Sequence, residues 1–158
     1  MAKGATPALL ALEHAGIAYI LHAYHHDPDA PSFGLEAAAA LDRDPREVFK
    51  TLIATVDGKL AVAIVPVTGR LNLKAFASAL HRKKADMALP ADAERATGYV
   101  IGGISPVGQR KRLPTVLDSS ALAFQQIYIS AGRRGLQLAV APTDLIALTH
   151  ARTAALTE

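Results

Sequence analysis

The chain has 158 residues, 51% hydrophobic and 20% charged, which is enough apolar material for one packed domain and far from the composition of a disordered tail. It contains no cysteine, so disulfides and zinc–thiolate centres are excluded, and 17 Lys+Arg against 14 Asp+Glu leave only a mild formal charge of +3. No apolar run approaches a membrane span, and the run after Lys3 is broken by Glu13 and His14 too early for a signal peptide, so a soluble, cytoplasmic single domain over residues 1–158 is expected.

In chain order, Thr6-Pro7 is a helix start, with Thr as cap and Pro in the first turn, and Gly16 is its stop. Residues 17–24 alternate in part and are read as a strand, and 25–31 form a Pro- and Asp-rich loop. Residues 35–41 are Ala-rich and helical, and Asp44-Pro45 begins a further short helix. Residues 49–56 (FKTLIATV) and 60–67 (LAVAIVPV) are strands joined by an Asp57-Gly58 hairpin. The second is apolar on both faces and so belongs at the centre of a sheet. Asn72 caps a helix to about residue 80, 84–87 is a short strand, and 90–96 is a short helix stopped by Gly98. Tyr99-Val100-Ile101 is read as a strand, 115–117 as another, and Asp118 or Ser119 caps a helix through Phe124. Strands follow at 127–130 and 136–140, then a helix from Pro142 to about His150. The fold class is α+β, with about seven strands in a mixed sheet or partial barrel around one core.

Two stretches invite chemistry. Gly102-Gly103 and Ser105-Pro106 break the chain after Ile101, beside Gln109-Arg110-Lys111-Arg112. A bare-backbone turn next to positive charge suits a carbonyl or phosphate oxygen, but an ordinary surface loop with a solvated charge run fits as well, and spacing alone favours the loop. Lys50 shares a face of its strand with Leu52, Ala54 and Val56. A buried ammonium is costly unless paired or at work, whereas a lysine at a strand's start can also snorkel to solvent, and the pattern leaves these two even. The basic knots 82–84, 110–112 and 133–134 would form a polyanion footprint only if the fold gathers them.

Other sites are less supported. His22, His25 and His26 lie near Asp27 without metal-ligand spacing, and His14, His81 and His150 are isolated, so no metal is expected. Ser105 is not in a GxSxG elbow, and Pro106 after it has no N–H for an oxyanion; Ser130 precedes Ala131-Gly132 and reads first as a turn residue. With no Walker A sequence and no GxGxxG, no nucleotide cofactor is expected.

Several pieces in order across nearly the whole chain carry a resemblance: Tyr24-His25-His26-Asp27-Pro28, Phe33-Gly34, Val48-Phe49-Lys50-Thr51-Leu52, Gly102-Gly103-Ile104-Ser105-Pro106, Gln109 to Pro114 and Ile127 to Leu136. Together they resemble the YbaK family of aminoacyl-tRNA deacylases, free-standing relatives of the editing domain of bacterial prolyl-tRNA synthetases. The resemblance implies removal of cysteine from mischarged Cys-tRNA(Pro), without cofactor or metal, by attack of the substrate's own thiol on its carbonyl. Lys50 matches the lysine on which the family's activity depends. Tyr24, Phe33, Thr51, Gly102, Gly103, Ile104, Ser105, Pro106 and Ser130 fall at the substrate pocket, and Arg110, Lys111, Arg112, Arg133 and Arg134 become expected tRNA contacts. The implied partners are tRNA(Pro), tRNA(Cys) and prolyl-tRNA synthetase. Gln137 stands where family members often carry an acidic residue. The competing readings are a tRNA- or synthetase-binding module without catalysis, and a deacylase for another small amino acid such as alanine on tRNA(Pro).

Overall fold

The computed structural model describes residues 5–30 and 32–158. Helix α1, Pro7–Ala15, is capped by the Thr6 side chain, which accepts from the Leu9 N–H, and is closed by Gly16 in the left-handed region. The Thr6 hydroxyl also donates to the Ala131 carbonyl, so the same residue that starts the helix ties it to a distant strand. Strand β1 (Ile20–Ala23) is shorter than the expected 17–24, and α2 (Phe33–Ala40) begins two residues earlier than expected, with Ser32 as its cap. Asp44-Pro45 starts a single 3-10 turn, Pro45–Glu47, rather than an α-helix.

Strands β2 (Phe49–Val56) and β3 (Lys59–Pro66) form the expected hairpin, with Asp57 and Gly58 both at positive φ (49° and 82°), as a two-residue turn of this hand requires. Helix α3 (Leu73–Ala79), β4 (Ala85–Met87), α4 (Pro90–Thr97) and β5 (Thr115–Asp118) follow, then a 3-10 segment at Ser119–Ala123. Strands β6 (Ile127–Arg133) and β7 (Leu136–Val140), α5 (Pro142–Thr149) and β8 (Arg152–Ala154) complete the order.

Instead of one sheet of about seven strands, there are two. A five-stranded mixed sheet runs β4-β2-β3-β5-β8, and a three-stranded antiparallel sheet runs β1-β7-β6. They touch through one parallel bridge, Val48 to Tyr128. The central position expected for β3 is borne out: every residue from Ala61 to Val67 is buried. One face of the five-stranded sheet packs Phe49, Ile53, Ile64 and Leu117 against α1 and the smaller sheet, and the other packs Val56, Val65 and Val116 against Phe76 and Leu156.

Tyr99-Val100-Ile101 is not a strand. Gly98, at φ 81°, ends α4 and turns the chain, so Tyr99 drops its ring into the core and donates its hydroxyl to the Val107 carbonyl at 2.6 Å, while Val100 is left exposed. A local run of β-formers is here overruled by a helix end and one buried aromatic. Among the described residues no helix is long and apolar enough to cross a membrane.

Candidate active site

Strand β4 pairs only with Ala54, Thr55 and Val56 of β2. The first half of β2 therefore has an open edge on that side, and a cleft of about 360 Å³ lies along it. The run Val48 to Ile53 lines the cleft without a gap, as an uncovered strand edge should. The other walls come from the start of α2 (Phe33), the start of α4 (Pro90, Ala93), the turn Ile101-Gly102, and two facing residues of the small sheet, Ser130 and Gln137.

Among the described residues Lys50 is the only charged side chain lining this cleft. It is half-buried, and among the described residues no carboxylate approaches it within ion-pairing distance. Burial alone pushes its amine below the ordinary lysine value of 10.5. Two more polar groups there are unsatisfied: the Thr51 hydroxyl and the Gln137 carbonyl oxygen are buried without a hydrogen-bond partner. Native proteins seldom leave such atoms unpaired, and two lining one cleft beside an unpaired cation describe a site shaped for a polar ligand.

The rim is built around Phe33. Gly34 lets α2 sit close on Val67, where a Cβ would come within 2.3 Å of that side chain. The Phe33 ring carries the Arg134 guanidinium 4.5 Å from its centroid and stands 5.4 Å from the His26 ring. His26 is held by Glu36 at 2.7 Å, and Arg134 donates to the Ile101 carbonyl, which fixes the turn carrying Gly102. Among the described residues no group of three His, Asp or Glu side chains is placed to hold a metal ion.

The expected pocket residues divide. Lys50, Phe33, Thr51, Gly102, Ile104 and Ser130 do line the cleft. Tyr24 does not: its N–H donates to the Gly135 carbonyl beside β7, and its phenol, raised in pKa by burial and by the Glu36 charge, meets the Gln137 side chain that does line the cleft. Ser105 and Pro106 are buried away from it, and the Ser105 hydroxyl accepts from the Val107 N–H at 3.3 Å, a turn role. Gly103 is buried as well, and its N–H already donates to the Val100 carbonyl at 2.8 Å. Of the two glycine amides expected to face a ligand, only that of Gly102 has no hydrogen bond to another described residue. The Ser130 hydroxyl accepts from the Gly132 N–H at 3.1 Å and holds a bulge in β6. Arg110, Lys111, Arg112 and Arg133 are exposed and off the cleft, whereas Arg134 is engaged at the rim.

In the sequence Gln137 stands out only as a departure from the family's acidic residue, and the structure places it in the cleft. Its placement there depends on a cross-strand pairing with Ser130, which no local pattern predicts. Since its carbonyl oxygen is unsatisfied in the free protein, Gln137→Leu should leave the melting temperature within a few degrees of wild type while raising KM about tenfold, a loss near 1.4 kcal/mol. Differential scanning fluorimetry with steady-state kinetics checks both halves.

A model of the aminoacyl-tRNA editing domain matches residues 27–148, and the chain belongs to that family. A candidate Cys-tRNA(Pro)/Cys-tRNA(Cys) deacylase of Enterococcus faecalis, EbsC, is 39% identical over 122 residues, 76% of this chain and 74% of that protein. A proline–tRNA ligase of Streptococcus suis is 28% identical over 108 residues; the match covers 68% of this chain but only 17% of the ligase. In three dimensions the chain is similar over its full length to 99% of a crystal structure described as a candidate trans-editing enzyme for prolyl-tRNA synthetase, with a TM-score of 0.84 and 25% identity.

Proposed function

We propose that this protein is a trans-editing deacylase that removes cysteine from mischarged Cys-tRNA(Pro). The observation that carries the reading is the cleft itself, where one unpaired, half-buried lysine lies with two unsatisfied polar atoms and no activated protein nucleophile. The chain has no cysteine, no histidine lines the cleft, and its two serines are engaged, Ser32 in capping α2 and Ser130 at the bulge. That agrees with what the family resemblance implies, namely that the reactive atom comes from the substrate's own thiol.

A cysteine thiol with an ordinary pKa near 8.5 is partly ionised at neutral pH, and more so beside a lysine cation. Its thiolate attacks the carbonyl carbon of its own ester, the thiol proton having gone to water. Charge builds on the carbonyl oxygen, where the Lys50 ammonium and the Gly102 N–H are suited to stabilise it. The intermediate collapses by breaking the bond to the ribose oxygen, which takes a proton from Lys50, and Lys50 recovers from water the proton the thiol released. The products are tRNA with a free hydroxyl and a small cyclic thioester that water opens to cysteine. Thr51 and Gln137 are the groups left to hold the aminoacyl end in place.

A panel of tRNA(Pro) and tRNA(Cys) charged with cysteine, serine, alanine or proline, incubated with trace protein with and without prolyl-tRNA synthetase, tests this. Multiple turnovers on the cysteinyl esters, at least a hundredfold faster than on seryl or alanyl esters, are expected. Binding without turnover would make the protein a tRNA-binding module, and equal rates on alanine would remove the thiol from the mechanism.

A further inference from the structure

Beyond the cleft, three cationic residues from distant parts of the sequence are among those lining a second, mostly apolar hollow of about 340 Å³. Lys59 comes from the start of β3, Arg82 from the segment after α3, and Lys111 from the loop before β5. The floor is apolar, from Val56, Leu80 and Leu113, and no carboxylate lines the hollow. Among the described residues none of the three cations has an ion-pair partner. The nearby Asp57 carboxylate accepts from the backbone N–H groups of Lys83 and Lys84, both at 3.0 Å, and these bonds, with a smaller contribution from the Arg82 charge, hold its pKa below the ordinary value.

The position of this hollow relative to the cleft is fixed by shared elements. Lys50 at the cleft and Val56 at the hollow are six residues apart on β2, about 20 Å along a strand. Lys111 donates its N–H to the Ala96 carbonyl at 3.0 Å near the end of α4, the helix whose first turn walls the cleft. A further depression, lined by Thr55, Arg95, Ala96 and Lys111 and by Asp92, which is paired with Arg95 at 3.4 Å, adjoins the hollow through Leu60 and Lys111.

We propose that this hollow is a phosphate-binding groove for the acceptor stem of the tRNA whose esterified 3′ end occupies the cleft. An aminoacyl ester in the cleft requires the nucleotide chain to leave it, and the unpaired 3′ tail spans a distance of this order before the duplex begins. Three unpaired cations in a concavity suit backbone phosphates, which bind by charge rather than by base identity. The inference rests on the deacylase reading and adds Lys59 and Arg82 to Lys111, one of the expected tRNA contacts.

The test is the salt dependence of binding of uncharged tRNA(Pro), followed by fluorescence anisotropy. Removing three phosphate contacts in the triple variant Lys59→Gln, Arg82→Gln, Lys111→Gln should flatten the slope of log K against log salt by about 2 to 3, and the single variant Lys111→Gln by about 1. The charge-keeping double variant Lys59→Arg, Lys111→Arg should retain the wild-type slope. Unchanged slopes in the Gln variants overturn the groove, as would a defect that appears only when the synthetase is present, which would make the occupant a protein. Wild-type cleavage of a cysteinyl ester on a short 3′ fragment without the stem reports on the deacylase reading separately. Its failure alongside flattened slopes would sink the reaction and leave the groove.

Discussion

Replacing Lys50 by methionine is expected to slow single-turnover deacylation of Cys-tRNA(Pro) by about 10² to 10³-fold, the usual cost of deleting one preorganised charge at a developing oxyanion, with a melting temperature at or above that of wild type. Both halves follow from one feature. The ammonium is half-buried with no carboxylate beside it, so burial works against its charge and nothing in the folded chain offsets that. A lysine kept for stability would have a partner, and its loss would lower the melting point. The sign with pH follows. The amine's pKa is lowered from 10.5 in the folded chain, so at alkaline pH the unfolded chain binds more protons than the folded one. The penalty of holding the charge is present below the folded value and fades as pH rises through it towards 10.5. Activity that needs the protonated form should therefore rise as the substrate thiol ionises and fall on an alkaline limb below 10.5, measured after subtraction of uncatalysed hydrolysis. Loss of activity with a melting point lowered by many degrees would make Lys50 a structural residue.

Gly103→Ala should cost more stability than Gly102→Ala, its neighbour in the turn. A Cβ there would meet the Arg133 Cα at 2.7 Å, the Arg133 carbonyl carbon at 2.8 Å and the Arg134 nitrogen at 2.8 Å. All three are main-chain atoms beside the β6 bulge, so no side chain can swing away. A cost of about 3 kcal/mol is expected for overpacking of this kind, or about 10 °C in melting temperature for a chain of this size. Gly102→Ala differs, because its Cβ would meet Arg134 and the Phe33 ring at 2.6–2.9 Å and adopt a φ of 88°. Movable side chains give way there, so disturbance of the rim should outweigh the loss of stability. Thermal melting of the two variants side by side separates main-chain packing from site geometry; equal, small shifts would contradict the close approach at Gly103.

Residues 49–66 were legible in the sequence because every local signal agrees: a β-rich run, a turn with the required chemistry, and an apolar return strand. Lys50 stood out for the same reason, as one charge on an otherwise apolar face. The division into two sheets was not legible, since it depends on where β4 stops pairing with β2 and on a single bridge at Val48. Strand β8 was missed because Arg152-Thr153-Ala154 has no pattern of its own and pairs in parallel with β5 only after the chain returns to it. The glycine turn was found for an incomplete reason. Gly103 is glycine because β6 passes against it, not because a ligand does. Arg134 resembled one more surface cation until its guanidinium was placed over Phe33. The meeting of Lys59, Arg82 and Lys111 is a purely tertiary fact, in which no spacing rule links the three positions.

The central claim is that the Lys50 amine, unpaired in the cleft, is the group that meets the substrate's ester. Side-chain nitrogen NMR of lysine-labelled protein, titrated with pH in the absence and presence of a non-hydrolysable cysteinyl-adenosine amide, observes that amine directly. The expected result is a Lys50 resonance, assigned by its loss in Lys50→Met, that titrates below 10.5 and shifts when the analogue is added while other lysines stay in place. A Lys50 signal that titrates like a free lysine and ignores the analogue would contradict it.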